Sequence, residues 1–362
     1  MEFDLDPHVI SDLERILAKV CTLARTHGKL SGFCIGSTRK PNENGLYFSP
    51  IRFTNQVVAG SVIVYGAHHA EWIARRIDGH VDVVFVDSEK KIGAATGLDA
   101  GAVVNVEREV YEVVKKSKVL TFKGNDLTVD SIENLIVGLI SEYPRGLGGK
   151  KCAIIGAGNV GSKLALKLVE RGMDIILVRR NLNALSVIVE ALNLIKPPAT
   201  RAKITAGFDA EIAAVDADLL IGLTPGTAAI SAAMVGAVRE TACLIDVGKG
   251  SFTPEALEFA RRRNLPVYRT DIRPGFEGHS SMALSTDALL KAYGETVIDG
   301  VRVVSGGLLA GRDVVVVDDI RHPTVVFGIA NGHGDFIRSP NPTQQSALDA
   351  VERHIQKLVL LQ

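Results

Sequence analysis

Four groups of residues have types and spacings suited to chemistry. The first, Gly156-Ala157-Gly158-Asn159-Val160-Gly161, follows the apolar run Cys152 to Ile155. It leads into a segment where Leu164, Leu168 and Val169 share one helical stripe. In strand–turn–helix register, G-x-G-x-x-G predicts a dinucleotide loop. Gly156 permits the tight turn, Gly158 lets backbone approach a pyrophosphate, and Gly161 lets helix and strand pack closely. Asn159, Val160 and Gly161 would offer unpaired N–H groups and the positive end of the helix dipole to phosphate. The second group is Arg179-Arg180-Asn181, after the apolar run ending at Val178. An NAD site offers a carboxylate there for the ribose 2′-OH, whereas guanidinium groups match a 2′-phosphate, so the predicted cofactor is NADP. The competing reading makes both arginines solvated residues after a strand.

The third group comprises Thr224-Pro225-Gly226-Thr227 and Asp246-Val247-Gly248-Lys249-Gly250. Each follows a predicted strand, which places Thr224, Pro225 and Gly248 at the carboxyl edge facing the cofactor crevice; plain turns are the alternative. The fourth is Asp130 with Lys90 or Lys91. Hydride transfer needs a proton carrier, and a lysine beside a carboxylate in a cleft can serve. The choice between the lysines stays open, and Asp130 suits equally a helix N-terminus, where the dipole favours a carboxylate. His279 lies in a predicted loop that could reach substrate, and Arg39 in a polar loop that could hold a carboxylate. Asn331-Gly332-His333-Gly334-Asp335, with His322, Asp318 and Asp319 nearby, matches no metal-ligand spacing and reads as a hairpin turn.

These residues need an α/β scaffold. Strands near 152–156, 174–178, 202–206, 218–223, 242–247 and 266–271 alternate with helices near 160–171, 182–194, 229–238 and 253–263. That alternation predicts a doubly wound parallel sheet. Before it, an amphipathic helix over 8–28, strands at 31–36, 61–66 and 81–87 and a helix at 69–77 predict a first α/β domain. A helix over 128–142 leads to the glycine-rich junction Pro144 to Gly149. After it come a helix at 285–293, strand-like runs at 301–304, 314–317 and 324–329, and a last helix near 343–360. The expected division is a substrate and catalytic domain at 1–148, an NADP-binding Rossmann domain at 149–300, and C-terminal strands and helix at 301–362 packing back across both.

Gly101-Ala102-Val103-Val104-Asn105-Val106 resembles the G-A-V-N-T-V segment of shikimate dehydrogenases. Gly124-Asn125-Asp126-Leu127-Thr128-Val129-Asp130 is similar to their G-x-N-T-D segment, with two further residues between Asn125 and Thr128. Arg179-Arg180-Asn181 stands where that family carries N-R-T. The resemblance spans roughly residues 80 to 250 and extends to methylene-tetrahydrofolate dehydrogenases, other amino-acid-dehydrogenase-like enzymes and the pyrrolysine-biosynthesis dehydrogenase. It implies a two-domain NADP oxidoreductase in which Asp130 and a first-domain lysine handle the substrate's proton and an arginine holds the NADP phosphate.

With 41 basic and 41 acidic residues the formal net charge is +0, so no electrostatic argument favours nucleic acid or an anionic membrane. Apolar runs are far shorter than a bilayer span, and the acidic N-terminus lacks a secretory core. Four dispersed cysteines fit a reducing cytoplasm. The expected partner is a small-molecule substrate, with a homodimer left open. The expected function is NADP-dependent hydride transfer to or from a small polar alcohol, amine or imine in the interdomain cleft. The alternatives are an NADP-responsive binding module without catalysis, or a transferase on a similar sheet.

Overall fold

The structure, a computed structural model, describes residues 7–38, 46–91, 105–224 and 226–360. Arg39, Gly101 to Val104 and Pro225 lie outside the described residues. The chain forms two compact units, Met1–Ser280 and Ser281–Gln362.

The first unit begins with helix α1 (Pro7–Thr26), whose amphipathic pattern buries Leu13, Val20 and Ala24. Strands β1 (Leu30–Ser37), β2 (Leu46–Phe53) and β3 (Val57–Val64) follow, then α2 (Ala67–Ile77), β4 (Val83–Asp87), α3 (Val106–Val113) and β5 (Lys118–Phe122). They form a five-stranded sheet in the order β2-β3-β1-β4-β5, parallel except for β2 against β3. The sequence reading missed β2 because Pro50 reads as a breaker. An edge strand tolerates proline, and the register shifts between Ser49 and Arg52. It also missed β5 and α3.

Helix α4 (Gly124–Ile140) starts four residues before its predicted position. Its Val129, Ile132 and Ile136 pack into the core of the second sheet. That sheet comprises β6 (Lys151–Ile155), α5 (Asn159–Glu170), β7 (Asp174–Val178), α6 (Leu182–Ile195), β8 (Ile204–Gly207), α7 (Ala210–Ala214), β9 (Leu219–Gly222), α8 (Ala232–Ala237), β10 (Cys243–Asp246), α9 (Pro254–Arg262) and β11 (Val267–Arg269). The order is β11-β10-β9-β6-β7-β8, every pair parallel. This is the doubly wound Rossmann arrangement, with its reversal point between β6 and β9. Helices α4, α5 and α6 contribute to one core cluster and α7, α8 and α9 to another.

Residues 273–279, expected as a loop, form the start of α10 (Arg273–Lys291). Gly275 and Gly278 lower helix propensity and hide this helix from a periodicity reading, while Pro274 is accepted in a first turn. Close packing explains Gly275: a Cβ there would lie 2.2 Å from the Leu127 carbonyl oxygen. Its N–H donates to Ser131 Oγ at 2.9 Å, and Phe276 stacks edge-on against Phe85 at 5.3 Å. Thus α10 pins α4 to the first sheet.

The second unit holds a four-stranded sheet of β12 (Glu295–Ile298), β13 (Val301–Ser305), β14 (Val315–Val317) and β15 (Val326–Ile329), in that order, with α11 (Pro342–Leu360). Position 300 falls in the turn between paired β12 and β13, so β12 belongs with this sheet. Asn331 closes the predicted hairpin turn, its Oδ1 accepting from the His333 N–H at 2.7 Å.

Candidate functional site

A cleft of about 900 Å³ opens between the two sheets of the first unit. The carboxyl ends of β1 and β4, strands β2 and β3, the first turn of α4, the loop after β10 and the segment from Arg269 to Phe276 line it. Asp87, the last residue of β4, sits at the floor with its carboxylate 1% exposed. Oδ2 accepts from the Ser37 N–H at 3.2 Å, from Ser37 Oγ at 3.0 Å and from Lys91 Nζ at 2.7 Å. Oδ1 accepts from the Glu89 N–H at 3.1 Å and the Gly124 N–H at 3.4 Å. Lys91 Nζ also meets Glu89 Oε2 at 2.8 Å. An ammonium is therefore held by two carboxylates in a cleft wall, a placement that fixes its direction.

Lys91 and Lys90 separate clearly. Lys90 points to Asn105 Oδ1 at 2.7 Å and Glu107 Oε2 at 2.9 Å, and it does not line the cleft. Asp130 is not brought to either lysine. Its carboxylate pairs with Lys167 Nζ on α5 at 3.1 Å. The helix phase explains this. With α4 starting at Gly124, its residues Gly124, Asn125, Leu127 and Thr128 border the cleft. Asp130 lies roughly 200° around the helix from Thr128, at 3.6 residues per turn. It shares a face with Asp126 and Glu133, and this face meets α5 as a ladder. Asp126 bonds Lys163, Asp130 pairs with Lys167, and Glu133 takes Lys167 at 2.7 Å and Arg171 at 2.6 Å. The lysine–aspartate pair implied by the shikimate-dehydrogenase resemblance is therefore not brought together; Lys91 pairs instead with Asp87 and Glu89.

The glycine loop stands at the reversal point. Gly156 has φ +125°, and a Cβ there would lie 2.6 Å from the Leu223 carbonyl oxygen. A Cβ on Gly161 would lie 2.2 Å from the Gly156 carbonyl oxygen. Gly158 begins α5 without a side-chain cap, and a Cβ on it would meet nothing within 4 Å. The first-turn N–H groups of Asn159, Val160 and Gly161 have no acceptor within the helix, the arrangement a pyrophosphate uses. At the end of β7, Arg179 Nη1 donates to the Ala157 carbonyl at 3.1 Å, which lays this guanidinium against the loop; Arg180 is exposed. Asn181 caps α6, accepting from the Ala184 N–H at 3.0 Å. Thr224 Oγ1 donates to the Thr227 carbonyl at 2.6 Å, tightening the turn after β9. Gly248 packs where a Cβ would reach 2.4 Å from the Thr224 carbonyl oxygen, so these two turns are interlocked.

The two halves of the site are joined by side chains. Glu89 Oε2 accepts from the Asn125 N–H at 2.8 Å, and Asn125 Nδ2 donates to Asn159 Oδ1 at 3.2 Å. A continuous run of contacts leads from the Lys91 ammonium to the first residue of α5. His279 is an anchor, its Nε2 2.8 Å from the Thr121 carbonyl oxygen. Cys34, in the cleft wall, is buried; burial pushes its thiol up to about 12, so it is no nucleophile. Sequence reasoning missed Ser37, Asp87, Glu89 and Arg52 as site residues. The one available signal was an aspartate closing the apolar run Val83 to Val86.

Residues 151–250 match the model of a family described as NADP oxidoreductase, coenzyme F420-dependent. Three solved structures align with this chain at low similarity. A dipicolinate synthase chain from Bacillus halodurans is 13% identical, over 70% of this chain and 79% of its own, with a TM-score of 0.36. L-tryptophan dehydrogenase from Nostoc punctiforme is 12% identical, over 68% and 72%, at 0.40. D-lactate dehydrogenase from Escherichia coli is 13% identical, over 61% and 86%, at 0.33. No curated protein matches the chain in sequence. The match falls on the second sheet, from β6 to the loop after β10, and includes the glycine loop. Among the described residues no helix is long and apolar enough to cross a membrane, and no group of His, Cys, Asp and Glu side chains could hold a metal.

Proposed function

We propose that this chain is an NADP-dependent dehydrogenase or reductase acting on a small polar alcohol, amine or imine in the cleft of its first unit. The observation that carries the reading is the run Lys91–Glu89–Asn125–Asn159. It couples a proton carrier to the start of the glycine-loop helix. Gly156, Gly158, Asn159, Val160 and Gly161 would hold the pyrophosphate, with Arg179 and Arg180 on the 2′-phosphate. Bound there, the reduced nicotinamide supplies a hydride. Lys91 gives a proton to the substrate oxygen or nitrogen as charge develops on it, and takes one in the reverse direction. Asp87 and Glu89 orient the ammonium. Ser37 and the Gly124 N–H fix Asp87 in turn. The reaction type is that of shikimate-dehydrogenase-like enzymes, run with Lys91 and Asp87 rather than Asp130.

The test is fluorescence titration with NADPH and NADH, followed by NADPH oxidation against a panel of polar carbonyls and imines. Each charge-assisted contact to the 2′-phosphate is worth about 1.5–3 kcal/mol, so NADPH should bind more than tenfold tighter than NADH. Replacing Arg179 and Arg180 together should erase most of that preference. Equal affinities would remove the NADP assignment. NADPH binding without oxidation by any member of the panel would favour a binding module.

A further inference from the structure

The charges lining the cleft say more about what enters it. Five basic side chains, Arg52, Lys91, Lys249, Arg269 and Arg273, face it against two carboxylates, Asp87 and Asp271. The carboxylates are matched: Asp87 by Lys91 at 2.7 Å, and Asp271 by Arg273 at 2.5 Å. Arg52, Lys249 and Arg269 add three positive charges to these pairs; Asp271 lies within electrostatic reach of Arg52 as well, and the walls stay net positive even with Glu89 on Lys91 counted. The three basic residues stand on opposite walls. Arg52 belongs to β2 of the first sheet, beside Ser49, whose Oγ accepts from Arg52 Nη2 at 3.1 Å. Arg269 ends β11, and Lys249 follows β10 in a left-handed backbone conformation, φ +57°. That conformation is uncommon for a side-chain-bearing residue, and such residues concentrate at functional sites.

Arg269 stands away from the loop that would hold the dinucleotide phosphates. β11 lies three strand positions from β6, roughly 14 Å at the usual strand spacing, and the glycine loop follows β6. We infer that the substrate is a small dicarboxylic acid spanning the cleft. One carboxylate sits on Arg52 and Ser49, and the other on Arg269 and Lys249. Guanidinium forks bind carboxylates bidentately, and two such forks on facing walls fix both ends of a short diacid. The reacting carbon between them is thereby presented to Lys91. This rests on the proposed hydride-transfer reading for the reaction, but the binding claim can be measured without turnover.

The experiment is calorimetric titration of the full chain, with and without saturating NADPH, using malonate, succinate and glutarate. Their monoamides and inorganic phosphate are the comparison probes. At least one diacid should bind tenfold or more tighter than its monoamide, NADPH should not displace it, and added salt should weaken it. Arg52→Gln and Arg269→Gln should each weaken that diacid about ten- to a hundredfold. The charge control Arg262→Gln, on exposed α9, should leave it unchanged. Circular dichroism of each variant shows that the fold is retained, and Arg52→Lys is the substitute if Arg52→Gln unfolds. Diacids binding no better than monoamides, phosphate binding better than every diacid, or displacement by NADPH would each overturn the inference. Oxidation of NADPH by neutral carbonyls without diacid binding would sink it while sparing the hydride-transfer reading. Diacid binding without any hydride transfer would do the reverse.

Discussion

Replacing Lys91 should abolish most turnover, and replacing Asp130 should not. Lys91 Nζ lies 2.7 Å from Asp87 and 2.8 Å from Glu89, and its side chain is only 17% exposed. Lys91→Met removes the cation from a nearly buried carboxylate, a change that costs about 3–5 kcal/mol for a typical buried pair. Asp87 keeps four donors, from Ser37 N–H, Ser37 Oγ, Glu89 N–H and Gly124 N–H, so the loss belongs at or below the lower end, about 2–3 kcal/mol. The fold should therefore survive at room temperature, while loss of the proton carrier lowers turnover roughly 10²–10⁴-fold. Asp130 and Lys167 are 45% and 40% exposed, and such a pair contributes below about 1 kcal/mol. Asp130→Asn should leave turnover within about twofold, as no proton passes through it. The assay is steady-state NADPH oxidation with the best substrate from the panel, alongside urea unfolding and NADPH affinity for each variant. A folded Lys91→Met protein that keeps more than a tenth of wild-type kcat would refute the assignment. So would an Asp130→Asn protein that loses a hundredfold, since that outcome would mean the ladder face turns towards substrate.

Gly161→Ala would bring a methyl group to 2.2 Å from the Gly156 carbonyl oxygen, far inside contact distance. NADPH affinity should fall at least a hundredfold, and a titration showing wild-type affinity would contradict the loop geometry. The ladder between α4 and α5 makes a pH-dependent contribution to stability. Burial alone would raise the Glu133 carboxyl, yet hydrogen bonds from Lys167 and Arg171 bring it below its ordinary value of 4.5. A lowered folded-state value means stability that is present above about pH 4.5 and lost as pH falls through the folded value. Glu133→Gln should flatten this acid limb in thermal melts between pH 6 and pH 3, and an unchanged limb would show that other carboxylates dominate.

The residue order alone settled those features that depend on neighbours along the chain. Strand, glycine turn and helix alternate locally from Lys150 onwards, so the Rossmann sheet and the Gly156 to Gly161 loop were legible as pattern. So were the arginines after β7, because their place is fixed by the strand that precedes them. The first unit's edge strand β2 was not legible, since Pro50 is permitted only by its place at the sheet edge. Nor was the start of α10, where Gly275 is required by the approach of Leu127 from a distant part of the chain. The candidate proton carriers Lys90, Lys91 and Asp130 were legible as residues, but only the folded structure separates Lys91, on the cleft, from the other two. For Asp130 that separation turns on helix phase. On the helix beginning at Gly124, Asp130 faces α5 while Asp87 sits in the cleft. Which face of a helix turns to a cleft is fixed by packing, and here α4 packs against α5 and, at Gly275, against α10.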